Sequence, residues 1–276
     1  MSLSPILILF LAHLGIGITF TLVFVSREAG VKFFRFNAGL AAILIAIALA
    51  FHYGGSNPGD PPPTRLSQLG VLALDCAEAA LVVYWATIGR GLARVRPAIV
   101  AVAVGGGLLA VVFQALALAA DRALPMQVLT VASFLSSAAL LGGACTAMIL
   151  GHWYLILPSM QVSHLQSIVK VHIASMIVRV AVVGAAVFLA LATSFPGQPG
   201  FGPSFRHYIT SAAGIFFWQR VLFGLAGPAL LSYLTWETAK IRSTQSATGI
   251  LYVDFFTVVV GEVLAKYLLL ATRVPV

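Results

Sequence analysis

Apolar residues dominate eight stretches of the chain, separated by short intervals that collect the arginines, lysines, glycines and prolines. The stretches are 5–24, 36–52, 66–88, 98–119, 128–150, 165–192, 208–234 and 248–270. A helix needs ~20 mostly apolar residues to cross a bilayer, and these runs meet that length. The pattern therefore predicts an all-α polytopic membrane protein with eight transmembrane helices. Residues 1–276 read as a single integral membrane domain. Its halves, 1–122 and 123–276, each offer four helices for a four-helix bundle. The first run lacks a basic leader and an AxA-like cleavage site, so it reads as a retained helix and not as a signal peptide.

Composition supports the same class. Only 9% of the 276 residues are charged and 60% are hydrophobic. A soluble domain carries about 25% charged residues, so this chain could not cover a water-facing surface. The 25 glycines fit close helix packing in a membrane. The net charge of +8 reads as orientation and attraction to anionic membrane lipid, not as nucleic-acid binding. Arg27, Lys32, Arg35, Arg90, Arg94, Arg96, Lys240 and Arg242 fall in connections on one side. The other side has Arg65, Arg122, Arg206 and Arg273. The positive-inside rule puts the first group in the cytoplasm and both termini outside, for a protein of the cell inner membrane. Cys76 and Cys145 lie within apolar runs, and there is no CxxC or CxxCH. That excludes a disulfide framework and a covalently attached c-type haem.

Polar side chains inside the runs need a partner or a task, because burying them unpaired costs kilocalories. One stretch, GHWYLILPSMQVSHLQSIVKVHIASMIVR at 151–179, gathers three of the six histidines and reads as an organising centre. His13 lies in the first run. Asp75 and Glu78 are three residues apart in the third, on one helix face. His172, Ser175 and Arg179 share a face in the sixth. Arg220 sits inside the seventh, where Pro228 predicts a kink. Asp254, Val258, Glu262 and Lys266 form an i,i+4 ladder in the eighth.

Four functions fit such a set. A quinone site needs an apolar slot, groups that bind two oxygens and groups that move protons. Asp75, Glu78, His172 and Glu262 are the proton-handling candidates. His13, His152, Trp153, Tyr154, Arg179 and Arg220 are the binding candidates, with His13 beside Asp75 or Glu78 as a more central arrangement. Alternatively, two histidines hold haem b. His152 and His172 are the leading metal ligands in that reading; His13 with His172, and His52 with His207, are other pairs. A third function is an ion or small-solute transporter, with Asp254, Glu262, Lys266, Arg179 and Arg220 along a charged path. The fourth is a non-catalytic assembly scaffold whose charges pair between helices.

The tail GEVLAKYLLL at 261–270, with Gly261-Glu262 followed by Lys266-Tyr267, and Arg220 followed by FGLAGP at 223–228, resembles the polysulfide reductase and DMSO reductase integral membrane anchor family. That resemblance implies a quinone-interacting anchor subunit of a respiratory electron-transfer complex. It implies menaquinone or ubiquinone as the cofactor and an iron–sulfur or cytochrome redox subunit as the partner, without haem in the membrane subunit. The chain departs from the family in carrying Lys266 where arginine is usual, and in its rich histidine set, which leaves haem b open. It has no iron–sulfur ligands and no nucleotide-binding glycine motif, so the expected protein is a non-autonomous subunit of an oxidoreductase.

Overall fold

The computed structural model describes residues 3–55, 62–91, 93–156, 162–192 and 203–276. Regular structure among them is helical: α1 (Ser4–Thr21), α2 (Gly30–Gly54), α3 (Arg65–Thr87), α4 (Arg96–Leu118), α5 (Leu124–Ile156), α6 (Val162–Ala192), α7 (Pro203–Thr210), α8 (Ile215–Val221), α9 (Gly227–Lys240) and α10 (Thr244–Thr272). Among the described residues, eight helical spans are long and apolar enough to cross a membrane; α8 and α9 together lie in one of them and α7 in none.

Local chemistry sets the ends of these helices. Ser26 accepts a hydrogen bond from the Glu28 amide at 3.3 Å and opens a short 3-10 turn at Arg27–Ala29. Gly30, at φ 81°, then turns the chain into α2. So α2 begins six residues before the apolar run and includes Lys32 and Arg35 in its first turns. After the proline-rich interval, the Thr64 hydroxyl accepts from the Ser67 amide at 3.2 Å and caps α3. Helix α5 continues past the expected end at Leu150, through Gly151–Tyr154 to Ile156, and is 33 residues long. Pro158, the expected breaker, lies outside the described residues.

The seventh run departs most from expectation. It is not one helix over 208–234. Tyr208 belongs to the separate short helix α7, and the span itself is broken into α8, a π-helical turn at Leu222–Ala226, and α9. Pro228 has no N–H to give the carbonyl four residues earlier, and the wider π turn takes up the mismatch.

Helix α1 packs on α2 and α5, α3 packs on α4, and α2 packs on α3. Helix α5 packs on α6 and α10, while α9 packs on α10 and α6. The crossing of α1 with α5 is as close as backbone permits. A Cβ added at Gly17 or Gly142 would run into the main chain of the other helix. Thr21 on α1 exploits that proximity, meeting the Thr146 hydroxyl at 2.7 Å and the Gly142 carbonyl at 3.2 Å. One apolar core runs continuously through α1–α6 and α10.

The outside of this assembly is apolar, and its apolar interior encloses charged groups. Ile43, Val102, Leu109, Ile177, Phe188 and Phe256 are exposed. His13, His172, Arg179, Arg220, Asp254, Glu262 and Lys266 are buried. That inversion of the soluble pattern is the arrangement of a multi-pass membrane protein.

Candidate functional site

The buried charges converge on Glu262, in the middle of α10. Its neighbour Gly261 faces Gly224, in the π turn of the seventh span, and a Cβ on either would collide with the opposing backbone. The two glycines thus let α10 and the seventh span approach until Arg220, one turn before Gly224, reaches the carboxylate. Arg179 comes from α6 on another side. Lys266 follows Glu262 by one helical turn, in the order that favours an intrahelical ion pair.

Geometry at the carboxylate is saturated. Arg179 grips it with a two-pronged fork, Nε to Oε1 at 2.9 Å and Nη2 to Oε2 at 3.2 Å. Arg220 donates from Nη2 to Oε1 at 3.0 Å. Lys266 donates from Nζ to Oε2 at 3.2 Å, and the Ser137 hydroxyl donates to the same oxygen at 2.5 Å. Lys266 also donates to Ser137. Arg179 spends its remaining donors on the Ser133 carbonyl at 3.0 Å, the Ser133 hydroxyl at 2.6 Å and the Val276 main-chain oxygen at 3.4 Å. The four charged residues are at most 2% exposed. Arg220 keeps Nε and Nη1 without protein partners.

His13 joins this cluster from α1. Its Nδ1 is 3.5 Å from the Ser137 hydroxyl, and its ring stands edge-on to Phe134 with centroids 4.8 Å apart. The far nitrogen, Nε2, has no partner that meets hydrogen-bond geometry, although Gln114 of α4 lies close to the ring. The cluster thus ties together α1, α5, α6, the seventh span and α10.

A second polar centre lies eight residues back along α10, about 12 Å at the rise of an α-helix. There Asp254 Oδ2 sits 2.7 Å from His172 Nε2, both side chains fully buried. The distance is that of a contact pair, but neither atom has the alignment of a hydrogen bond. Asp254 Oδ1 and His172 Nδ1 also lack protein partners. His172 and Arg179 share a face of α6, as do Asp254 and Glu262 on α10. The two centres therefore belong to one seam between these helices.

The other candidates stand apart. Asp75, of intermediate burial on α3, accepts from the Tyr53 hydroxyl of α2 at 2.7 Å. Glu78 is half-buried, with Oε2 unpartnered. His152, Trp153 and Tyr154 point three ways from α5. His152 meets the exposed Tyr252 hydroxyl at 3.0 Å, and Trp153 packs edge-on to Phe33 with centroids 5.7 Å apart. Tyr154 is buried in the core. Tyr252 and Asp254 are two residues apart on α10, roughly 200° around the helix. His152 and His172 therefore meet α10 on different sides. Among the described residues, no three of His, Cys, Asp or Glu converge as a metal site.

Ser133 and Ser137 are members of the cluster that the candidates read from the sequence do not include. Their spacing of four, on a helix facing the Glu262–Lys266 pair with the same spacing, is the signal that could have marked them.

A side groove of about 430 Å³ lies between α6 and α9, beside the α6–α10 seam. Met176, one turn from His172, forms part of its floor; Ser232, Trp236 and Lys170 supply its polar rim. The Ser232 hydroxyl is buried without a protein partner, and Lys170 Nζ stands 5.4 Å above the Trp236 ring. Exposed Ile177 and Tyr233 flank the opening.

Neither a protein-family model nor a curated protein matches the chain.

Proposed function

We propose that the protein is a quinone-interacting membrane subunit of an electron-transfer complex, with a redox subunit as its partner. The observation that carries this reading is the adjacency of an apolar, laterally accessible groove to a buried pair of proton-bearing groups. The groove between α6 and α9 suits a flat ring and an isoprenoid tail, and the unpartnered Ser232 hydroxyl and Lys170 offer donors for a quinone oxygen. A bound quinone would supply two-electron, two-proton chemistry. His172 lies on α6 between the lining residues Lys170 and Ile173, buried against Asp254, and the pair would hold or pass protons. Trp236 gives the ring an aromatic wall. The Glu262 cluster fixes α6 and the seventh span at the spacing that the groove needs.

Packing of α1–α4 on one another, and of α5, α6, α9 and α10 on one another, supports two four-helix bundles joined through α1 and α5. Charge in the connections favours a cytoplasmic membrane with both termini outside. The residues behind the resemblance to reductase anchors, Arg220, Gly261, Glu262 and Lys266, are in mutual contact, which favours that resemblance as a reading of function.

Titration of the protein in lipid nanodiscs with short-tailed ubiquinone and menaquinone analogues tests the proposal, read by quenching of tryptophan fluorescence. Saturable quenching is expected, lost in Ser232→Leu and in Trp236→Phe, and retained in Asp254→Asn. Absence of saturable quenching, or quenching indifferent to Ser232→Leu, would refute it.

The broken seventh span beside a buried charge cluster favours a second reading, ion transport. Proton or ion flux through protein-loaded liposomes without any redox partner would select it over the first.

A further inference from the structure

A larger cavity lies elsewhere, where the end of α1, the start of α2, the end of α3 and the start of α4 meet. It measures about 800 Å³. Arg27 and Arg96 stand at one end, and the walls are aliphatic: Val23, Val31, Val100 and Val104 among them. Gly105 lines the far end, and a Cβ added there would meet nothing within 4 Å.

The charge around this cavity is one-sided. Lys32 and Arg35 follow Arg27 in the first turns of α2, and Arg90 and Arg94 precede Arg96 in the connection that leads into α4. Arg35 is stacked on Trp85 at 5.5 Å, and Glu28, the acid beside Arg27, is taken by His164 at 2.7 Å. Arg96 gives Nη2 to the Gly91 carbonyl at 3.1 Å, while its Nε is buried without a partner. Two guanidinium groups with donors to spare, facing an aliphatic slot, suit an anion that carries hydrocarbon. The lining residues Val23 and Val31 are exposed on the apolar exterior. Access is therefore from the side that a bilayer would occupy.

We propose that this cavity binds one anionic phospholipid, its phosphate between Arg27 and Arg96 and an acyl chain running along α4 to Gly105. A neutral quinone head would leave both arginines unsatisfied. A free inorganic anion would leave the aliphatic walls unfilled. The site is separate from the α6–α9 groove and stands whether or not that groove holds quinone.

Native mass spectrometry and thermal-shift measurements on the purified protein test this, with phosphatidylglycerol, phosphatidylcholine and inorganic phosphate as probes. Phosphatidylglycerol should be retained roughly tenfold or more over phosphatidylcholine, the scale of two arginine–phosphate contacts at a membrane surface. The double variant Arg27→Gln/Arg96→Gln should lower its retention to that of phosphatidylcholine. Gly105→Leu leaves both arginines in place, fills the acyl end, and should weaken phosphatidylglycerol binding with the fold intact; it carries the test should the double variant misfold. Equal retention of the two lipids would overturn the proposal, as would protection by phosphate equal to that by phosphatidylglycerol. Undiminished phosphatidylglycerol binding in either variant would overturn it too.

Discussion

Replacing Glu262 by Gln keeps the shape of the side chain and removes the one carboxylate that Arg179, Arg220 and Lys266 share. At contact distances near 3 Å and an effective dielectric of ~20, each cation contributes a gross attraction of ~5 kcal/mol. Most of that is offset by desolvation and by repulsion among the three cations. Breaking a buried pair from one side costs about 3–5 kcal/mol, so Glu262→Gln should fall in that range. For a domain stable by ~5–15 kcal/mol that is a large fraction. Removing Lys266 is a different perturbation. Lys266→Met takes away one of three attractions and two of three mutual repulsions, and leaves the Arg179 fork intact. It should change stability by no more than ~1 kcal/mol, since exchange of a buried charge for an apolar group is often neutral. The double variant Glu262→Gln/Lys266→Met should then be less impaired than Glu262→Gln alone. Unfolding in mixed detergent micelles, followed by circular dichroism, measures all three. If Lys266→Met is as damaging as Glu262→Gln, or the double variant is worse than either, the three cations do not share one counter-charge and the reasoning fails.

Three further perturbations probe other parts of the fold. Gly142→Val puts a side chain into the Gly17 backbone, and the separation of α1 from α5 should cost ~3 kcal/mol or more in the same unfolding assay. Asp75→Asn removes an acceptor of Tyr53 and should change stability by no more than ~1 kcal/mol; a larger loss would mean that α3 carries an internal charge site after all. Asp254→Asn keeps the volume of the side chain and should cost ~1–3 kcal/mol, with the His172 ring resonances shifting in NMR spectra of the labelled protein; unchanged resonances would rule out the pair.

The apolar runs specify the eight spans because bilayer thickness fixes their length, and helix boundaries then follow from caps such as Thr64. The i,i+4 ladder on α10 marks Glu262 and Lys266, and the face shared by His172 and Arg179 is legible from spacing alone. Which ladder meets which face is a property of helix crossings, and those are set by the pairs Gly17–Gly142 and Gly224–Gly261. Single glycines are visible in a sequence, but their pairing is not. For the same reason Asp75 and Glu78 read as central when only their presence in an apolar run is known. The packing of α3 against α2 and α4 leaves them on a peripheral helix. The histidine-rich stretch at 151–179 divides likewise: His172 enters the seam, while His152 faces the exposed Tyr252.

The two buried carboxylates differ in a way that separates structural from chemical roles, although Arg220 Nε and Nη1 and His13 Nε2 stay open beside Glu262. Both Glu262 oxygens are filled, by donors from α5, α6, the seventh span and α10. A carboxylate so held has no valence left for a substrate, and its protonation would break several contacts at once; such a group fixes geometry. Asp254 and His172 are the reverse. They touch only at one edge, and Asp254 Oδ1 and His172 Nδ1 remain open in a buried setting, as does the Ser232 hydroxyl in the adjoining groove. Unsatisfied polar atoms in a low-dielectric interior are costly, and they persist where something else is meant to bond with them. Substitution should therefore split the seam into two behaviours. Variants of Glu262 lose the fold before they lose anything else, whereas Asp254→Asn retains the fold and the bound quinone analogue and slows both its two-electron reduction to quinol by an added chemical reductant and the uptake of the two protons that this reduction requires. Intact proton uptake in a folded Asp254→Asn protein would move the proton route away from this pair.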